Sequence, residues 1–118
     1  MQEDETVAMT NQVFALARQI SAGRVTSYGA LGARCEPPIS GYICGRIMNN
    51  AGEDVPWWRV VAKDGSLPIS KRNPSLAARQ RELLRNEGVE FSDDNRVLES
   101  YFKRDAKLES DEDGSLFT

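Results

Sequence analysis

The chain has 118 residues, a formal net charge of −3, two cysteines and no histidine. Its length fits one domain with a modest core, and the missing imidazole removes the commonest general base and metal ligand. Cys35 and Cys44 lack CxxC-type spacing, which argues against a zinc knuckle or a disulfide framework.

In chain order, VAMTNQVFALARQISA (7–22) carries Met9, Val13, Leu16, Ala17 and Ile20 at helical spacing. An amphipathic helix is expected there, ended by Gly23. In GRVTSYGALGARC, Thr26 or Ser27 can cap a short second helix running to about Arg34. Pro37-Pro38 then breaks the chain. Ser40 can cap a third helix, GYICGRIMNN, with Ile43, Cys44 and Ile47 on its apolar side. Two short helices after a longer one are the layout of a helix-turn-helix. In that motif the later helix meets DNA with its N-terminal residues, here Ser40, Gly41, Tyr42 and Arg46.

Polar residues 49–54 lead into VPWWRVV (55–61), where two tryptophans stand between Pro56 and Arg59. Residues 59–62 are expected to form a strand, and Lys63-Asp64-Gly65 a tight turn. SLPISKRN follows without regular pattern. Ser75 is the expected cap of the helix LAARQRELLRNEG, with Leu76, Leu83 and Leu84 facing inward and Gly88 ending it. VEFS and NRVLESYF read as a short hairpin or strand pair.

Charge is unevenly spread. Glu3, Asp4 and Glu5 make residues 1–6 acidic, and residues 105–118 carry five acidic side chains against one lysine. Between Arg18 and Arg72 eight basic residues face four acidic ones. A basic centre between acidic ends permits a polyanionic partner. The expected organisation is an acidic N-terminal extension (1–6), one domain (7–105) and an acidic, disordered tail (106–118). No apolar run approaches the ~18 residues of a membrane-spanning helix. The start, MQEDETVAMTNQ, lacks a signal-peptide pattern, so a cytoplasmic location is expected, on the nucleoid in a prokaryote.

TSYGALG, the ICGRIM helix, PWWRVV and LLRNEGVEF, in that order over roughly residues 10–91, resemble the DNA-binding domain of the O6-alkylguanine DNA alkyltransferases. The resemblance is closest to their non-catalytic relatives, the alkyltransferase-like proteins. It implies a mainly α domain with a small β element, a winged helix-turn-helix of the alkyltransferase C-terminal type. The transferases carry Pro-Cys-His-Arg-Val where this chain has Pro56-Trp57-Trp58-Arg59-Val60. The nucleophile and its activating histidine are therefore both replaced by tryptophan. Dealkylation needs a thiolate aimed at the alkyl carbon, and an indole cannot supply one.

What remains is binding, with the damaged base turned out of the duplex into an aromatic pocket. Stacking on an aromatic contributes ~1–3 kcal/mol per base, comparable with the few kcal/mol that flipping costs. The resemblance places Tyr28 against the phosphate beside the target nucleotide. It places Met48, Trp57, Val60 and Arg72 around the lesion, Arg72 as a cation over the base. As bare residues, Tyr28 reads as a half-buried helix tyrosine and Met48 and Val60 as core. Trp58 is expected to pack inward near Glu87, which matches the glutamate that orients the transferase histidine and here reads as a helix-end residue. The family's arginine finger falls on Tyr42, three residues before Gly45. A tyrosine can wedge into a base stack but cannot hydrogen-bond an orphaned cytosine. Arg46 is left to contact phosphate.

The implied function is non-enzymatic recognition of O6-alkylguanine in duplex DNA, flagging the lesion for nucleotide-excision repair proteins, by a monomer without cofactor or membrane partner. Two alternatives stay open from the residues: an alkyltransferase using a displaced cysteine, and a winged helix-turn-helix regulator that flips no base.

Overall fold

The computed structural model describes residues 2–68 and 73–102. Arg72 and the acidic segment 106–118 lie outside the described residues. Four helices and two short strands follow in order: α1 (Gln2–Arg18), β1 (Thr26–Ser27), α2 (Tyr28–Ala33), α3 (Gly41–Met48), β2 (Val60–Val61) and α4 (Pro74–Asn86). Single 3₁₀ turns occupy Trp57–Arg59 and Glu99–Tyr101. The architecture is mainly α with a small β element, as the sequence implied. No helix among the described residues is long and apolar enough to cross a membrane.

α1 differs from its expected bounds at both ends. It starts at Gln2, so the acidic residues 3–5 belong to the helix, and it stops at Arg18. The backbone then tightens. Gln19, Ile20 and Arg24 donate to the carbonyls of Leu16, Ala17 and Ser21. These i→i+3 bonds are the usual way a helix end satisfies its last carbonyls. Gly23 follows at φ +86°, a left-handed conformation that glycine adopts without a side-chain clash.

The helix-turn-helix is α2 and α3. Ser27 Oγ accepts from the Ala30 N–H at 3.0 Å, and Ser40 Oγ from the Ile43 N–H at 3.2 Å, so both predicted caps form. Gly32 lets the loop return: a Cβ there would stand 2.5 Å from the Ile39 carbonyl oxygen. Cys44 and Met48, four residues apart, form the buried stripe of α3. Ile43 was expected on that side but is 45 % exposed, because the stripe facing α1 and α2 passes through its neighbour Cys44.

β1 and β2 pair in parallel, Thr26 with Val60 and Ser27 with Val61. The alternation along β2 divides the core. Val60 joins the cluster of Val13, Ala17, Ile20, Leu31, Cys44 and Met48, beneath α1–α3. Val61 joins Val25, Leu67, Leu84, Val89 and Val97 beneath α4. The strand expected over 59–62 is thus two residues long, since 57–59 coil into the 3₁₀ turn.

α4 begins two residues earlier than expected, because Asn73 rather than Ser75 is the cap. Its Oδ1 accepts from the Leu76 N–H at 3.0 Å, and Pro74 takes the first helical position, where its missing N–H is harmless. Ala77, Gln80 and Leu84 form its buried stripe, while Leu76 and Leu83 are only partly buried. The expected terminal strand pair reduces to one antiparallel bridge, Phe91 with Val97, plus a parallel bridge from Val25 to Phe102. Together they form a small wing against β1.

Candidate nucleic-acid interface

Three of the predicted DNA-contacting residues are exposed along α3: Ser40 as its cap, Tyr42 in its first turn and Arg46 in its last. Tyr42 is 75 % exposed, the most exposed large apolar residue of the described chain. Ser40 and Arg46 are also exposed. Tyr42 and Arg46 are four apart on one helical face, and the guanidinium carbon lies 5.9 Å from the Tyr42 ring centroid. Gly41 is not presented to a partner in the same way; it packs close to the backbone of Gly29. Ile43 extends the exposed apolar surface beside Tyr42, which the sequence pattern missed.

Tyr28 heads α2 and its ring lies beside Gly45 of α3, where a Cβ would meet Tyr28 Cδ1 at 3.7 Å. From there a cleft of about 170 Å³ opens between α3, the Trp57–Arg59 turn and α4. Tyr28, Met48 and Trp57 line it, three residues expected to act together. Its remaining walls come from Asn49, Ala51, Glu53, Leu76 and Gln80. Val60 does not line it: it is fully buried in the core behind the cleft. The reason is its place on β2, whose pairing with β1 turns the side chain toward Val13 and Met48. Two larger depressions, about 440 and 710 Å³, surround Lys63 and Asp64 and share no residue with this cleft.

The two tryptophans separate. Trp57 packs on the α1–α3 cluster and walls the cleft; Trp58 packs on the α4 cluster. Their rings stand edge to face, with planes at 87° and centroids 6.0 Å apart. Opposite directions were expected from an extended segment. A 3₁₀ turn produces the divergence instead, since successive residues are rotated by about a third of a turn.

Glu87, the C-cap of α4, gathers this region. Its carboxylate accepts from the Trp58 indole N–H at 2.8 Å, from Arg59 Nη2 at 2.7 Å and from the Gly23 N–H at 3.0 Å. Arg59 Nη1 also donates to the Ile20 carbonyl at 2.8 Å, and its guanidinium lies 5.4 Å from the Trp58 ring centroid. Burial alone would raise the Glu87 pKa, but hydrogen bonds from Arg59, Gly23 and Trp58 outweigh it and hold it below the ordinary value. Glu87 is therefore more than a helix end: the indole N–H of Trp58 supplies a donor at the position where the resemblance places a histidine. Arg59 is committed to this cluster, and Arg18 and Arg79 pair with Asp54 and Glu53.

Both thiols are buried and unpaired. Burial, and then the neighbouring Cys35, push the Cys44 thiol up to about 12; burial also raises Cys35. Neither thiol forms an appreciable thiolate near neutral pH, and neither lines the cleft. Among the described residues no group of His, Cys, Asp or Glu is arranged to hold a metal ion.

Residues 8–89 match the family model described as the 6-O-methylguanine DNA methyltransferase, DNA binding domain. A Vibrio parahaemolyticus relative named "DNA base-flipping protein" is 29 % identical over 94 residues, covering 78 % of this chain and 91 % of that protein. A Picrophilus torridus "Bifunctional methyltransferase/endonuclease" is 29 % identical over 99 residues; this chain spans 32 % of its length. Among solved structures, S. pombe Atl1 in complex with damaged DNA containing O6-carboxymethylguanine superposes with a TM-score of 0.69 at 26 % identity. The match covers 83 % of this chain and 96 % of that one.

Proposed function

The chain belongs to the family of the 6-O-methylguanine DNA methyltransferase DNA-binding domain, and from that premise we propose that it recognises alkylated guanine in DNA without repairing it. The observation that carries the reading is Trp57 on the wall of a cleft where the family motif would set a reactive cysteine, while both cysteines of the chain are buried elsewhere. The relative named as a base-flipping protein and the likeness to a complex with damaged DNA support it.

In this reading α3 enters the groove and Tyr42 wedges into the stack at the vacated position. Arg46 braces the Tyr42 ring and reaches phosphate. Tyr28, at the cleft mouth beside α3, steers the phosphate of the extruded nucleotide. The base then lies against Trp57, with Met48 and Leu76 providing apolar contact for the alkyl group. Bound and not repaired, the lesion is left for nucleotide-excision repair proteins.

Titration of one duplex with and without a single O6-methylguanine tests the reading. A clear preference for the damaged duplex is expected, with no radiolabel passing from methylated DNA to the protein. Label on the protein would restore the transferase alternative, and sequence preference without lesion preference would favour the regulator. Tyr42→Ala is expected to abolish flipping, measured as fluorescence of 2-aminopurine beside the lesion, while circular dichroism stays unchanged. Tyr42→Arg should preserve flipping. Normal flipping by the alanine variant would assign the wedge to another residue, with Ile43 the next to test.

A further inference from the structure

α3 presents an apolar pair backed by a cation. Tyr42 and Ile43 are exposed side by side in its first turn, and Arg46 follows one turn on, against the Tyr42 ring. Residues 24–48, which hold both helices of the motif, also carry the exposed Arg24 and Arg34 against one acidic side chain, Glu36. The complement of such a face is an acidic segment that brings bulky apolar side chains with it.

The chain contains one. Glu109, Asp111, Glu112 and Asp113 form an acidic block with no basic residue among them, and Leu116-Phe117 follow. The function proposed above makes no use of these residues, which lie outside the described part of the chain. The described part ends close to the motif. Phe102 bridges to Val25 in parallel, so the chain there runs in the direction of β1, which leads into α2. The Val25 N–H donates to the Tyr101 carbonyl at 2.9 Å. Three residues beyond Val25 stands Tyr28, whose ring lies beside Gly45 of α3. From Phe102 to Tyr42 this path is roughly 25 Å: a short strand, one spacing between packed helices and one helical turn. The ten residues from Phe102 to Glu112 span up to ~35 Å when extended.

We propose that segment 109–117 docks on the exposed face of α3, its carboxylates meeting Arg46 and Phe117 covering Tyr42 and Ile43, and so competes with DNA for that face. The docking stands on the complementarity alone; the competition rests on the reading that α3 meets DNA. A tether of this length supplies an effective concentration on the order of 1 mM. A contact with a Kd of about 0.3 mM, negligible between separate molecules, then lowers DNA affinity about fourfold. Damaged and undamaged duplex need the same face, so both are weakened by the same factor and the preference for the lesion is untouched. The contact is between exposed charges and fades as salt screens them.

The test uses the whole chain in three forms: wild type, a neutralised variant (Glu109→Gln, Asp111→Asn, Glu112→Gln and Asp113→Asn together) and Phe117→Ser. Amide resonances of the labelled protein are compared without DNA. Both variants should move the Tyr42, Ile43 and Arg46 amides and leave those of Ala77 and Leu84 in α4 unchanged. At about 50 mM salt the neutralised variant should bind damaged and undamaged duplex each about fourfold more tightly, with the gain shrinking toward about 0.3 M salt. Unmoved α3 amides in either variant would overturn the proposal, and tighter DNA binding in that case would be general repulsion by the acidic block. Shifts centred on another surface would overturn it equally. Moved α3 amides with no gain in DNA affinity would overturn the competition, and with it the reading that α3 meets DNA, while the docking stands.

Discussion

Replacing Trp57 by Ala is expected to lower affinity for an O6-methylguanine duplex by ~1–3 kcal/mol, roughly 5–150-fold, the range for losing an aromatic platform under one base. The indole is half-buried and walls the cleft, so the lost face is the one offered to a ligand. Binding to undamaged DNA should fall much less, because phosphate contacts carry it and do not involve this residue. Trp57→Phe keeps a ring at the same place and should retain most of the preference. Trp57 also packs on the α1–α3 cluster, so part of the alanine effect will appear as lower melting temperature. Paired titrations of damaged and undamaged duplex separate the two contributions. An unchanged damaged-to-undamaged ratio would make the indole a core residue and nothing more.

The largest stability effect is expected at Glu87. Glu87→Ala strands the Arg59 guanidinium, whose side chain is 17 % exposed, and removes the acceptor of Trp58 and Gly23. Breaking one side of a buried ion pair costs about 3–5 kcal/mol, and the residual exposure points to the lower end. At ~4–8 °C per kcal/mol for a domain of this size, a fall of roughly 12–24 °C in Tm is expected. Because the folded carboxyl is held below its ordinary value, its contribution is complete above the unfolded pKa of about 4.3. It is lost as pH falls through the folded pKa. The wild type should therefore lose stability below about pH 4 more steeply than Glu87→Gln. Melting curves across that range decide it; parallel pH profiles would mean that Glu87 contributes through its neutral hydrogen bonds alone.

Glu87 also gives the tryptophan pair a structural part. Glu87 receives an indole N–H, which can hold the carboxylate in place but cannot take a proton from a nucleophile. The cluster keeps the 57–59 turn attached to α4 and α1, and so fixes the wall that Trp57 presents.

Much of this was legible in the residues themselves. Ser27 and Ser40 as caps, Cys44 in the core and the order of the helices follow from local chemistry: hydroxyl caps, helical spacing and proline breaks act over a few residues. The motif order pointed to the family and to Trp57, Tyr28 and Met48, which the fold brings to one cleft. Other features depend on partners distant in sequence. Val60 is core because β1, more than thirty residues earlier, pairs with it. Ile43 is exposed because α1 and α2 select a different stripe of α3. The burial of Gln80 depends on the approach of the Trp58 and Val60 carbonyls, which accept from its amide nitrogen. Sequence alone determined which elements form and which chemistry is missing, because propensities, caps and absent side chains are local properties. The tertiary structure decided which faces meet and which polar atoms pair, because burial and hydrogen-bond partnership arise only when distant segments pack.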